Sequence, residues 1–162
     1  MRKFVSLCLL ILIPFQLVSC SQKSYRDDIS CKKISSELLD EANLAGEYDR
    51  YTQENIDFLF GDSSLYDDFS VIYSIDTNDI NEIGIFHCSD EEKTKSFLTI
   101  VENYIKEQQE NQKAFIASYA PREVPKLEAA KADRYGNYVI YTILDENIRH
   151  EIFEEAEDIL KK

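Results

Sequence analysis

Residues 138–144, Tyr-Val-Ile-Tyr-Thr-Ile-Leu, constrain the fold more than any other stretch. Seven uncharged residues, mostly β-branched or aromatic, stand between Gly136-Asn137 and Asp145, which is the composition of a strand bounded by turn residues. Asp133-Arg134-Tyr135-Gly136-Asn137 reads as the turn before it, with a short partner strand expected over Leu127 to Lys131. Tyr138 and Tyr141 are three apart and must point to opposite faces, because strand side chains alternate. One of the two is therefore expected at solvent or a sheet edge.

A second hairpin precedes this one. Val71-Ile72-Tyr73-Ser74-Ile75 is strand-like, Asp76 to Asp79 is a turn, and a further strand runs from about Glu82 to Cys88. Helical spacing appears at Ile34, Leu38, Leu39 and Ala42, giving a first helix over about 31–45 stopped by Gly46. Thr52 caps a second helix carrying Ile56, Leu59 and Phe60, with Gly61 as its stop. Ser89-Asp90-Glu91-Glu92 has the form of a capping box, with Ser89 as the cap. The long helix it opens carries Phe97, Val101, Tyr104, Ile105 and Gln108, and Phe115 and Tyr119 continue its apolar face to Pro121. Asp145 or Asn147 caps a last helix with Ile148, Ile152, Phe153, Ala156, Ile159 and Leu160. The order α-α-β-β-α-β-β-α predicts a single α+β domain, antiparallel sheet elements with packed helices. Its two ββα units have the form of a repeat.

The first nineteen residues follow a different logic. Arg2 and Lys3 precede the apolar run Phe4 to Ile13, and Pro14, Phe15, Leu17 and Val18 follow. A basic start and a run shorter than the ~20 apolar residues of a membrane helix make a secretory signal peptide over 1–19. Leu17-Val18-Ser19-Cys20 resembles a bacterial lipobox. The resemblance implies cleavage before Cys20, diacylglyceryl transfer to its sulfur, and palmitate-type acylation. Two or more acyl chains give stable anchoring in membrane lipid. Residues 20–30 are then a lipidated tether and 31–162 an extracytoplasmic domain on the outer side of the cell membrane. Removing 1–19 takes two basic residues away and moves the formal charge from −13 to −15. Nucleic acid is not a partner of so acidic a module, since phosphates demand a basic footprint.

Few residues suggest chemistry. After processing, Cys31 and Cys88 remain. A disulfide is allowed outside the cytoplasm and would stabilise by roughly 4 kcal/mol, but two separate buried thiols fit equally well. His87 and Cys88 are adjacent in a strand and point apart, so His87 cannot readily activate the thiol. His150 falls in the first turn of the last helix. Asp76-Thr77-Asn78-Asp79 starts like a calcium loop, yet position six is Asn81 and position twelve His87, where Gly and Glu are required. Asp62, Asp67 and Asp68 have no better claim, and neither a metal nor a cofactor is expected. Ten tyrosines and no tryptophan are unusual. Tyr73, Tyr138 and Tyr141, with Tyr48, Tyr51 and Tyr66 nearby, are candidates for a binding surface, because an aromatic ring with a polar tip suits recognition.

Three segments carry a family resemblance: Glu82-Ile83-Gly84-Ile85-Phe86 with the acid-capped helix after it, Phe115 to Tyr119 and Pro121, and Gly136-Asn137-Tyr138-Val139 leading to Asp145. Over about residues 32–160 they resemble DUF4358, a family of uncharacterised bacterial lipoproteins. That resemblance supplies no catalytic residues, and Cys31 and Cys88 depart from its pattern. The resulting expectation is a non-catalytic binding or accessory module of the envelope, with an envelope protein as a possible partner. A structural or protein-interaction domain is the alternative, and a hydrolase a more distant one.

Overall fold

A computed structural model of the chain describes residues 24–61 and 64–161. The expected signal peptide, Cys20 with the start of the tether, and Asp62 lie outside the described residues. Among the described residues, six α-helices and five strands follow in the order α1 (Cys31–Ala42), β1 (Tyr48–Arg50), α2 (Gln53–Phe60), β2 (Asp68–Ser74), β3 (Glu82–His87), α3 (Glu91–Asn111), α4 (Lys113–Tyr119), α5 (Val124–Ala129), β4 (Lys131–Tyr135), β5 (Tyr138–Ile143) and α6 (Glu146–Leu160), with a 3₁₀ turn at Pro121–Glu123. The strands form one antiparallel sheet in the order β1-β2-β3-β5-β4. The expected α+β domain is what folds.

Both faces of the sheet are covered. Ile72, Ile83, Ile85, Tyr138 and Ile140 face α1 and α6, while Val71, Phe86, Val139 and Tyr141 face α2 and α3. A third, smaller cluster joins Ile143 to Ile116 of α4 and Leu127 of α5. Every residue of β5 is consequently buried. Neither Tyr138 nor Tyr141 reaches solvent, contrary to the expectation drawn from their alternation. The two residues do point to opposite faces, but each face has its own helical layer.

Of the expected caps and stops, the Thr52 start of α2 stands and others shift. Thr52 closes a capping box with Asn55 at the start of α2. At α3 the cap is Asp90, whose carboxylate accepts from Lys93 N at 2.8 Å, and not Ser89. Asn43, in the left-handed region at φ 45°, ends α1 before Gly46 is reached. The long helix breaks at Gln112, so Phe115 and Tyr119 do not extend the apolar face of α3. They are exposed and stack on each other at 5.6 Å, and Ile116 is the residue α4 buries.

The strand expected over Leu127–Lys131 is displaced. Pro125 lies in the first turn of α5, where its missing N–H costs no helical bond. The strand starts only at Lys131, and Asp133 to Tyr135 belong to it and not to the turn. The two ββα units are not a rotational repeat. A two-fold axis that pairs β3 with β5 antiparallel must keep both helices on one face, yet α3 and α6 pack on opposite faces.

Residues 24–30 are not a free tether. Arg26 N donates to Leu160 O at 2.7 Å, and Tyr25 bridges to Lys161. The Tyr138 hydroxyl donates to Ile29 O at 2.7 Å and accepts from Ile29 N at 3.1 Å. This strap lies across the β5 and α6 end of the domain.

Candidate functional site

The tyrosines expected to form a binding surface are dispersed. Tyr138 is under the strap on one face and Tyr141 is beneath α3 on the other, while Tyr51 and Tyr73 border an opening. Tyr66 is buried as well. What unites several of the tyrosines is a carboxylate that sequence reasoning passed over as an ordinary strand start.

Glu82 opens β3 and is directed towards the α3 face, where it is buried. Its Oε1 accepts from the hydroxyls of Tyr141 at 2.6 Å and Tyr104 at 3.0 Å, and its Oε2 from Tyr51 at 2.9 Å. The three donors come from β5, α3 and the residue after β1, so the carboxylate ties three distant parts of the chain together. Hydrogen bonds to a charged group contribute on the order of 1.5–3 kcal/mol each, against a desolvation cost of several kcal/mol for a buried ion. Burial pushes the Glu82 carboxyl above its ordinary range, and the three hydroxyls pull it back only in part. Burial and the neighbouring carboxylate also raise the phenols of Tyr51, Tyr104 and Tyr141, which therefore act as donors and stay protonated.

Gly84 makes this arrangement possible. It sits opposite Tyr141 in the β3–β5 register, and a Cβ there would meet the Tyr141 ring. The glycine lets the ring lie flat across β3 and bring its hydroxyl to Glu82, two residues away on the same face.

A cleft of about 290 Å³ opens above Glu82. Tyr51 and Tyr73, stacked at 4.5 Å, form one wall. Gln108 of α3, Gln112 at the break between α3 and α4, and Phe115 of α4 form the other. The β2–β3 turn and α5 frame the rim, where Lys126 pairs with Asp79 at 2.9 Å and Glu123 at 2.8 Å. Asn81 also lines the cleft; its Nδ2 donates to Tyr48, while its buried Oδ1 has no hydrogen-bond partner among the described residues. The turn residues that resembled a calcium loop are engaged locally: Asp76 accepts from Asn78 N at 2.9 Å, and Asp79 holds Lys126. Among the described residues no group of three or more His, Cys, Asp or Glu side chains could hold a metal ion.

The profile described as "Domain of unknown function (DUF4358)" matches residues 41–144, well over half of the chain. The chain belongs to that family. The DUF4358 match is narrower than the 32–160 expected from the sequence, leaving out the strap, most of α1 and α6. It contains Glu82, Gly84, the three tyrosine donors and every residue that lines the cleft. The Glu82-Ile83-Gly84 segment that carried the resemblance thus combines a carboxylate with the glycine that admits its tyrosine partner. No curated protein and no solved structure matches the chain.

The remaining candidates lie away from the cleft, and Cys31 and His150 also lie outside the DUF4358 match. Cys31 packs with the α1 and α6 core and Cys88 with the α3 core, and both thiols are free and buried, not bridged. The sheet separates the two clusters. Burial raises both thiols, Cys88 to about 11, which opposes formation of a nucleophilic thiolate. His87 is half-buried between two carboxylates, with Nδ1 2.5 Å from Asp67 and Nε2 2.7 Å from Asp27 of the strap. Asn137 Nδ2 also donates to Asp27 at 3.2 Å. This clamp went unread in the sequence because its members are 60 and 20 residues apart. His150 is exposed on α6, 3.4 Å from Glu154.

Proposed function

We propose that this protein is a lipid-anchored binding module, held outside the cytoplasm through acylated Cys20 and binding a small molecule non-catalytically in the cleft above Glu82. The observation that carries the reading is a buried carboxylate, held by three tyrosine hydroxyls, at the base of an opening with aromatic and amide walls. Ligand sites combine apolar walls with a few convergent polar groups in this way. The signal-like residues 1–19 and the lipobox-like Leu17-Val18-Ser19-Cys20 support the anchor.

Each half has its own test. Metabolic labelling with a palmitate analogue should mark the wild-type chain and not Cys20→Ala; unchanged labelling would remove the anchor. For the site, the full-length protein in non-ionic detergent is screened for thermal stabilisation by small amines, sugars and carboxylates, since a ligand that binds only the folded state raises Tm. At least one class should stabilise the wild type and stabilise Phe115→Ala measurably less. A screen without any such compound would overturn the binding-module reading. The exposed Phe115–Tyr119 stack favours a second reading, an interaction domain docking an envelope protein. In that case crosslinks from this stack to one protein would appear without a small-molecule response.

A further inference from the structure

We propose that the Glu82 cleft binds a small primary ammonium compound with a flat apolar body; this deepens the binding-module reading and rests on it. Two carboxylates, Asp79 and Glu82, line the cleft, and no basic residue does. The nearest cation, Lys126, is already paired with Asp79 and Glu123 at the rim. An anionic ligand would meet uncompensated negative charge, and a cation would relieve it.

Hydrogen-bond polarity points the same way. The hydroxyl hydrogens of Tyr51, Tyr104 and Tyr141 are all committed to Glu82. With its hydrogen engaged, a phenolic oxygen can only accept. A carboxylate has about four lone-pair sites and three of those on Glu82 are filled, leaving one. The partnerless Oδ1 of Asn81 is another acceptor. Around Glu82 the cleft therefore presents acceptors, with the amide donors of Gln108 and Gln112 set on the wall, and this acceptor group suits a ligand with three N–H donors. The stacked Tyr51 and Tyr73 rings and Phe115 supply π faces for a cation and a flat surface for its apolar part. The cavity volume is at the lower end for small-molecule sites, which limits the ligand to about one ring with a short arm.

The test titrates full-length protein in non-ionic detergent with 2-phenylethylammonium, 2-phenylethanol and phenylacetate. Tyrosine emission is an intrinsic readout because the chain has no tryptophan, and calorimetry gives the affinities. The ammonium compound should bind about tenfold more tightly than the alcohol, a difference of about 1.4 kcal/mol, and phenylacetate should not bind. Glu82→Gln should lose about that tenfold preference. If Glu82→Gln does not fold by circular dichroism, Phe115→Ala, an exposed rim position, serves in its place and should weaken ammonium binding about threefold. Equal or tighter binding of the alcohol or of phenylacetate would overturn the ammonium assignment while leaving a binding cleft. Absence of ammonium binding would also overturn it, and the broader screen then decides whether another ligand class occupies the site.

Discussion

Gly84 and Tyr141 face each other across the central strand pair so closely that a Cβ on the glycine would fall 1.9 Å from Tyr141 Cε1. Gly84→Ala must therefore displace a fully buried ring and with it the hydroxyl that donates to Glu82. Overpacking of this kind costs about 1–3 kcal/mol. Chemical denaturation should report that loss, and the double variant with Tyr141→Val should recover part of it, because the two effects share one contact. Additive losses in the double variant would show that the glycine is required for another reason.

The Glu82 carboxyl has a folded-state pKa above its ordinary value of 4.5. A group raised on folding contributes stability that is fully present below its unfolded pKa and lost as pH rises through the folded one. Stability measured against Glu82→Gln should therefore fall as pH climbs from about 4.5 into the raised range. A wild-type profile parallel to that of Glu82→Gln would contradict the burial of an ionisable carboxyl here.

The strap should respond to pH through His87. Burial lowers the His87 pKa, but the hydrogen bonds to Asp27 and Asp67 outweigh it and leave the value above the ordinary 6.5. The clamp is fully effective below about pH 6.5 and weakens as pH rises through the raised value. Amide exchange at Arg26 and Ile29 should be slower in the wild type than in His87→Gln under acidic conditions. The two proteins should converge at alkaline pH. A constant difference across that range would exclude protonation as the cause.

Cys31 and Cys88 should resist alkylation in the folded protein and react once it is denatured without reductant. Mass spectrometry should find both peptides singly labelled. A peptide pair joined by a disulfide would refute the separate burial of the two thiols on opposite faces.

Much of the fold could be read from residues because apolar periods and caps are local. Thr52, Asn55 and Gly61 define α2, and the uncharged run of β5 is unmistakable. Lys131-Ala132-Asp133-Arg134-Tyr135 could not be read as a strand, since an edge strand carries charge where a buried one carries apolar alternation. Three-residue β1, Tyr-Asp-Arg, is hidden for the same reason. The site was less legible still. Glu82, Tyr51, Tyr104 and Tyr141 have ordinary local roles, and only the pairing of β3 with β5 and the packing of α3 bring them together. Gly84 was the one visible trace, a glycine inside a strand pattern, and its partner lies 57 positions later.

With acylated Cys20 as proposed, the docked strap sets which end of the domain lies nearest the anchor. From Cys20 to Tyr25 the chain can span at most ~18 Å, so the strap end, with His87 and Tyr138, would stand close to the bilayer. Glu82 begins β3 and His87 ends it, about 17 Å apart along the strand. The cleft would then lie at the end of the sheet remote from the lipid. It would be about the length of one strand farther from the anchor than the strap end is.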